Sequence, residues 1–500
     1  MRPVLTAAET QVLDRATEAR GVSIATLMER AGVAVAREAV RAAGGAYGRR
    51  AVVVCGKGNN GGDGLVAARI LRGWGMAATA VVFDPPQAFR EPAASNLGRL
   101  GGEGVVAFGE QVLDRELSRA DVAVDALFGS GFRGVAEGPH AAAITALNAA
   151  AAPTVAVDIP SGVEGDTGLV RGAAVIAVAT VTFGTPKLGD VLYPGAAHAG
   201  HVLVADIGFP PELVTSDVGL TEAADVRAML PRRGLDAHKR RSGVVLVVAG
   251  SRTMTGAPVL VARGAYRAGA GLVRIAVPEG IVPVVQAMIP EATFLPLAEG
   301  PEGSVATGAL DDVDLSAYGA VALGPGLSTD GSTTAFVRDL VRRSPAPVVV
   351  DADGVNAFAG RPGELAEASA EVVLTPHTGE FARLFGMPVD EVLEDRVGLA
   401  RKAAAETRAV TLLKGARTVI ALPSGEVRIN PTGSPSLAVG GTGDVLTGAV
   451  AALLARGLTG ADAATAGAYV HGLSGEALPE GAMASDVADV LPAAIEGVTG

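Results

Sequence analysis

Cys55-Gly56-Lys57-Gly58-Asn59-Asn60-Gly61-Gly62-Asp63-Gly64 is the stretch whose reading decides the fold. A short apolar run, 51–55, leads into it. A helical pattern over 63–72, with Val66 and Ile70 four residues apart, leads out of it. Glycines and asparagines between a strand and a helix let backbone N–H groups approach an anion without Cβ interference, and the helix N-terminus adds a favourable dipole. The spacing is neither the G-x-G-x-x-G dinucleotide fingerprint with its acid about twenty residues on, nor a P-loop. The plainer reading is a tight structural turn, but this density of Gly and Asn favours an anion cradle.

Outward from this loop the same rhythm repeats. Continuous apolar runs occur at 79–83, 121–126 and 154–158, and again at 244–249, 272–277, 320–323, 347–351, 372–374 and 410–413. Continuous rather than alternating runs mark strands buried on both faces, as in parallel sheets. Helical segments between them give βαβ units. Residues 7–43 read as helices, with Leu27, Met28, Ala31 and Val35 at helical spacing. The stretch 210–234, with Pro-Pro, scattered acids and Pro231-Arg232-Arg233-Gly234, reads as a boundary. The expectation is an α/β chain of two tandem domains: a Rossmann-like doubly wound sheet over 1–215 and a second α/β domain over 222–500.

Composition narrows the function classes. The 500 residues are 49% hydrophobic and 19% charged, enough to bury sizeable cores. A net charge of −12 argues against nucleic acid as a partner. The single cysteine, Cys55, permits no internal disulfide and fits a reducing compartment. No signal peptide and no uninterrupted apolar run of spanning length is visible. A cytoplasmic protein with no membrane partner is expected.

Two further strand ends in the first half carry acids: Asp125, before Ala126-Leu127-Phe128-Gly129-Ser130-Gly131, and Asp158, before Ile159-Pro160-Ser161. Carboxyl ends of parallel strands line the ligand crevice of an open sheet, so Asn60, Asp125 and Ser161 can converge there. Their oxygens suit a hard cation. Each could equally cap the helix that follows it.

The second half carries Val439-Gly440-Gly441-Thr442-Gly443-Asp444-Val445-Leu446-Thr447-Gly448. Backbone amides of 441–443 can hold an anion. Asp444 can accept the proton of a hydroxyl that attacks a phosphate; its plainer reading is a helix N-cap. Other strand ends carry Gly250-Ser251-Arg252-Thr253-Met254-Thr255-Gly256-Ala257-Pro258, Leu323-Gly324-Pro325-Gly326-Leu327, Asp351-Ala352-Asp353, Thr375-Pro376-His377-Thr378-Gly379-Glu380 and Lys414-Gly415-Ala416-Arg417-Thr418. The acids of 351–353 either help hold magnesium or cap a helix. The Lys414 segment suits phosphate or adenosine contacts. The basic residues Arg232, Arg233 and His238-Lys239-Arg240-Arg241 read as a solvated linker or as a steering patch for anionic nucleotides.

On these motifs the first half, about 8–209, resembles the epimerase domain that acts on hydrated nicotinamide dinucleotides, NAD(P)HX. The segment Thr182-Phe183-Gly184-Thr185-Pro186-Lys187 is also similar to that family; Lys187 could reach the substrate, and its plainer reading is a solvated surface lysine. The resemblance implies substrate binding by Asn59, Asn60, Gly61, Gly62, Asp63, by Gly129-Ser130-Gly131-Phe132-Arg133-Gly134-Val135 and by Asp158. It implies potassium at Asn60, Asp125 and Ser161. Asp158 is the candidate acid–base residue, and Asp63 either contacts substrate or caps its helix.

The second half, from about Thr221, resembles the ribokinase-like superfamily and within it the NAD(P)HX dehydratases. This implies substrate contacts at Ala257, Gly326, His377 and Asp444, and nucleotide contacts at Lys414, Gly415, Ala416, Arg417, Thr418 and Gly443. ADP or ATP would be co-substrate, and magnesium would neutralise its phosphates. One loop departs from the family pattern, with Ser434 in place of Asn and Val439 where a small or polar residue is common. The expected activity is repair of hydrated NADH and NADPH by a bifunctional epimerase and dehydratase, in a homo-oligomer. The rival readings are a vitamin or sugar kinase with an accessory domain and a non-catalytic dinucleotide sensor.

Overall fold

The computed structural model describes residues 1–231, 242–300, 303–311 and 313–500. The basic run at 232–241 lies outside the described residues. The chain divides into two compact units between Ser216 and Asp217.

In the first unit, seven strands lie in the order Val105–Ala107, Ala77–Val82, Arg50–Cys55, Val122–Ala126, Thr154–Val157, Ala179–Phe183, His201–Ala205. All the pairings are parallel. Chain order reverses between Arg50–Cys55 and Val122–Ala126, so a crevice opens there at the carboxyl ends. Apart from Arg50, the central strands are buried throughout, which is why their apolar runs do not alternate. Cys55 closes the first of them and is wholly buried.

The glycine-rich stretch is helical earlier than its composition suggests. The helix is Asn59–Gly73, with Gly58 at its N-cap and no side chain capping it. Gly61 and Gly62 therefore serve as close contacts inside a helix. A Cβ on Gly61 would stand 1.7 Å from the Gly56 carbonyl oxygen, and one on Gly62 would stand 2.5 Å from the Met28 side chain. Asp63 sits one turn into the helix and does not cap it.

In the second unit the strands run Val218–Leu220, Val427–Ile429, Val419–Ala421, Val410–Leu413, Val372–Leu374, Val348–Val350, Ala320–Leu323, Val244–Val248, Leu272–Pro278, Thr293–Leu297. From Val410–Leu413 to Thr293–Leu297 the pairing is parallel; Val419–Ala421 is antiparallel to both its neighbours, and Val218–Leu220 pairs parallel with Val427–Ile429. A second reversal of chain order falls between Val244–Val248 and Ala320–Leu323. The helices Gly256–Arg267 and Thr442–Ala455 pack backbone to backbone. A Cβ on Gly448 would meet the Val261 carbonyl oxygen at 1.9 Å, and one on Gly264 the Val445 carbonyl oxygen at 2.2 Å. This contact fixes the helix that carries Asp444. No helix of the described residues is long and apolar enough to cross a membrane.

Candidate active sites

A cavity of about 650 Å³ opens at the carboxyl ends of the first sheet. Asn59, Asn60, Asp63, Gly129, Ser130, Gly131, Phe132 and Asp158 all line it. Gly61, Gly62, Arg133, Gly134 and Val135 do not reach its wall. The two glycines are spent on helix packing. Arg133 turns to Asp166, the Gly134 N–H donates to Glu164 Oε1 at 3.0 Å, and the Val135 side chain lies against Gly172.

Asp158 is held from three sides. Lys187 Nζ stands 2.6 Å from its Oδ1, Thr182 Oγ1 donates to the same oxygen at 3.5 Å, and the Ser130 N–H donates to Oδ2 at 3.3 Å. Lys187 is 1% exposed, so it is not the solvated surface residue its sequence context suggests. It also donates to Thr182 Oγ1 at 3.0 Å and to the Phe183 carbonyl at 3.2 Å. The backbone at Asp158 takes φ +65°, and the Ile159 N–H donates to the Val157 carbonyl at 2.7 Å. This is a γ-turn of the rare, strained sense, of the kind that clusters at functional sites.

Two carboxyls the sequence left aside or undecided join this wall. Asp14, on the helix Ala7–Ala19, lines the cavity without a hydrogen bond or ion pair among the described residues, and so does Asp63. Burial raises the pKa of both. For Asp63 the rise is large, with the nearby Asp158 and Asp14 adding to it. Nothing in the sequence marks Asp14, because an acid on an exposed-looking amphipathic helix has no local signature.

Asn60, Asp125 and Ser161 do meet. Asn60 Nδ2 donates to the Phe128 carbonyl at 2.9 Å, Ser161 Oγ donates to Asp125 Oδ1 at 2.6 Å, and the Phe128 N–H donates to Ser161 Oγ at 2.9 Å. Asn60 Oδ1 is buried with no hydrogen-bond partner among the described residues. Burial pushes the Asp125 carboxyl up to about 6 despite its hydrogen bonds from Ser161 and Leu127.

In the second unit, a chain of charged groups crosses the carboxyl ends of the parallel strands. Lys414 Nζ lies 2.7 Å from Asp351 Oδ1 and 3.8 Å from Glu380 Oε2. Thr447 Oγ1 donates to Asp351 Oδ2 at 2.7 Å. His377 caps the helix Thr378–Phe385 through Nδ1, and its Nε2 lies 3.3 Å from Glu380 Oε1. Gly443 adjoins this pair: a Cβ there would stand 3.4 Å from Lys414 Nζ and 3.9 Å from Asp351 Oδ2, at ordinary contact distance. Ala257 and Gly326 adjoin: a Cβ on Gly326, which has φ +68°, would lie 3.1 Å from that of Ala257.

Asp444 stands at the third position of its helix. The N-cap is Gly441 at φ +93°, with no side-chain cap, so the capping role does not hold. Burial pushes the Asp444 carboxyl up to about 7, with Asp351 raising it further and Lys414 opposing. Burial would lower the Lys414 ammonium, but Asp351 and Glu380 outweigh this and raise it. Asp351 thus serves as the partner of Lys414; it is not the cap of the short helix Asp353–Asn356, whose N-cap is Ala352. In the 414–418 segment, the buried Arg396 donates to the carbonyls of Ala416 at 2.7 Å and Arg417 at 3.1 Å. The Arg417 guanidinium turns to the Pro431 carbonyl. This loop therefore offers Lys414 and backbone to a ligand, rather than a free guanidinium.

The fold and the two sites define a two-domain α/β enzyme with a Rossmann-like sheet followed by a ribokinase-like half. A family model described as YjeF-related protein N-terminus matches residues 24–189, and one described as NAD(P)H-hydrate dehydratase matches residues 245–496. The bifunctional NAD(P)H-hydrate repair enzyme Nnr of Moorella thermoacetica is 44% identical over 98% of this chain and 96% of its own. That of Thermofilum pendens is also 44% identical, over 94% and 91%. The chain belongs to the family of bifunctional NAD(P)H-hydrate repair enzymes. Among solved structures, an ADP/ATP-dependent NAD(P)H-hydrate dehydratase from Bacillus subtilis, co-crystallized with ATP/Mg2+, is 34% identical. It matches 57% of this chain and 100% of its own, at a TM-score of 0.49.

Proposed function

We propose that the Asp158–Lys187 cavity epimerises R- and S-NAD(P)HX, and that the Asp444 site dehydrates the S form to NAD(P)H using ADP or ATP. The observation that carries this division is shared by both halves: an aspartate–lysine pair, at 2.6 Å and 2.7 Å, sits at the carboxyl ends of a parallel sheet beside a further partly buried carboxyl.

Epimerisation must break and remake a bond at the ring carbon that bears the hydroxyl. Asp158, oriented by Lys187, Thr182 and the Ser130 N–H, is the group placed to move the proton. Asp63, which lines the same wall and whose carboxyl is raised by burial, is the candidate donor for the departing oxygen. At the second site the ring hydroxyl attacks the terminal phosphoryl group of the nucleotide while Asp444 takes its proton. The ring nitrogen then expels phosphate, and loss of a proton from the adjacent ring carbon leaves the dihydronicotinamide. Lys414 and Gly443 border the phosphate being transferred. Ala257, Gly326 and His377 frame the substrate. Among the described residues no three His, Cys, Asp or Glu side chains are grouped to hold a metal. Magnesium, when bound with the nucleotide, would neutralise the charge on its phosphates.

Potassium fits the first site. The orphaned Asn60 Oδ1, the Phe128 carbonyl, Ser161 Oγ and Asp125 would hold it. Its charge would offset the buried Asp125 carboxylate and fix the 127–131 loop. Melting in KCl should exceed melting in tetramethylammonium chloride of equal ionic strength by roughly 2–4 °C. Asp125→Asn should abolish the difference; equal melting of the wild type in both salts would sink the site.

The functional test uses purified protein, hydrated NADH and added ADP or ATP. Absorbance of NADH should return only with nucleotide, and the R form should be consumed after the S form. Phosphorylation of a vitamin or sugar instead would establish the kinase reading, and binding without turnover the sensor reading.

A further inference from the structure

The cavity of the first unit extends well past the residues that handle the reacting ring. Its lining continues to Lys57, Asp84 and His140. Asp84 follows the strand Ala77–Val82, and Asp158 follows Thr154–Val157. Two strands, Arg50–Cys55 and Val122–Ala126, lie between them in the sheet. At about 4.8 Å per strand the two acids are three steps, or roughly 14 Å, apart along the crevice. That is the span a dinucleotide covers when its nicotinamide end lies at Asp158 and its pyrophosphate crosses the Asn59–Gly73 helix N-terminus.

The far end is built for an adenosine. His140 stacks on Phe83 with centroids 4.7 Å apart and lies 5.1 Å from Phe128, which stacks on Phe132 at 4.7 Å. His140, Phe128 and Phe132 face the cavity, so a base finds aromatic surface there. Burial lowers the His140 pKa, with Asp84 raising it and Lys57 lowering it. Lys57 Nζ stands 3.2 Å from Asp84 Oδ1. Both side chains keep solvent contact, so the pair adds little to folding and is free to exchange partners.

We propose that Lys57 and Asp84 form the subsite for the adenosine ribose and set the balance between hydrated NADH and hydrated NADPH. The inference rests on the epimerase reading of this cavity. An acid that follows the second strand of a doubly wound sheet accepts from a ribose 2′-hydroxyl. Asp84 has that place, about twenty residues beyond Gly64, although the glycines before it do not follow the dinucleotide pattern. A 2′-phosphate would be repelled by Asp84 and drawn to Lys57, which leaves the carboxylate to bind it. The pair thus accepts both substrates, with opposite preferences held in one ion pair.

The test is the ratio of kcat/KM for epimerisation of hydrated NADPH over hydrated NADH, measured by chromatography of the R and S forms. Asp84→Asn should raise the ratio at least tenfold, and Lys57→Ala should lower it at least tenfold. Adenosine 2′,5′-bisphosphate should inhibit epimerisation by wild type more strongly than 5′-AMP, and Lys57→Ala should erase that difference. Ratios that stay within threefold in both variants while epimerisation continues, or that move in the same direction, overturn the subsite. A wild type that epimerises neither hydrate overturns the epimerase reading itself.

Discussion

Asp444→Ala should lower nucleotide-dependent recovery of NADH from the S hydrate at least a hundredfold, while the variant stays folded. The size follows from the role: a positioned general base contributes roughly 10²–10⁴-fold, and among the described residues the carboxyls near Asp444 have other partners, Asp353 accepting from the Ser328 N–H at 2.9 Å and from Asn356 Nδ2 at 3.3 Å. Asp351 is committed to Lys414 and Thr447, and Glu380 to the His377 N–H at 2.8 Å. The wild-type rate should rise with pH through about 7, where Asp444 ionises, and level off above it. The stability sign is opposite. A carboxyl whose folded pKa is raised binds its proton more tightly in the native state, so stability falls as pH climbs from about 4 to about 7. Asp444→Asn should remove that part of the slope. Full dehydratase activity in Asp444→Ala, measured at 340 nm, would dismiss the base assignment.

Asp158→Asn should slow R-to-S conversion at least a hundredfold above the spontaneous rate, with substrate binding still measurable by competition. Nucleotide-dependent dehydration of the S form should persist, because it belongs to the other half. The substitution also strands Lys187, which is 1% exposed and keeps only Thr182 and the Phe183 carbonyl. Breaking one side of a buried pair costs about 3–5 kcal/mol, so the first unit should melt earlier. Lys187→Met separates the two effects. It should slow epimerisation as well, by releasing the Asp158 carboxylate from its fixed orientation. Epimerisation near the wild-type rate in Asp158→Asn would reduce Asp158 to a positioning residue.

Much of this arrangement is legible before any coordinates. The parallel sheets announce themselves because strands such as Val122–Ala126 and Ala320–Leu323 are buried on both faces and so need no alternation. The strand-end loops with Asp125, Asp158, Lys414 and Asp444 follow from where an open sheet puts its crevice. What escaped has physical reasons. Ala179–Phe183 carries Thr180 and Thr182 in the core, so its apolar run is broken; His201–Ala205 is a half-exposed edge strand. Glycines 61 and 62 look like loop yet lie within a helix, since close approach rather than flexibility selects them. Lys187 reads as surface because its partner, Asp158, is distant in sequence, in the turn that follows the strand Thr154–Val157. The left-handed backbone at Asp158 has no glycine to betray it.

Cys55 carries a last consequence. It ends the strand that feeds the substrate loop, yet burial and the nearby Asp125 drive its thiol far above the ordinary range, and its Sγ lies 3.8 Å from the Val53 carbonyl. As the chain's one sulfhydryl, it is out of reach of peroxide, alkylating agents and mixed-disulfide exchange. Neither half of the enzyme offers a thiolate to be capped or oxidised. A protein that restores damaged redox carriers is thus built so that its own chemistry does not depend on the redox state of a cysteine.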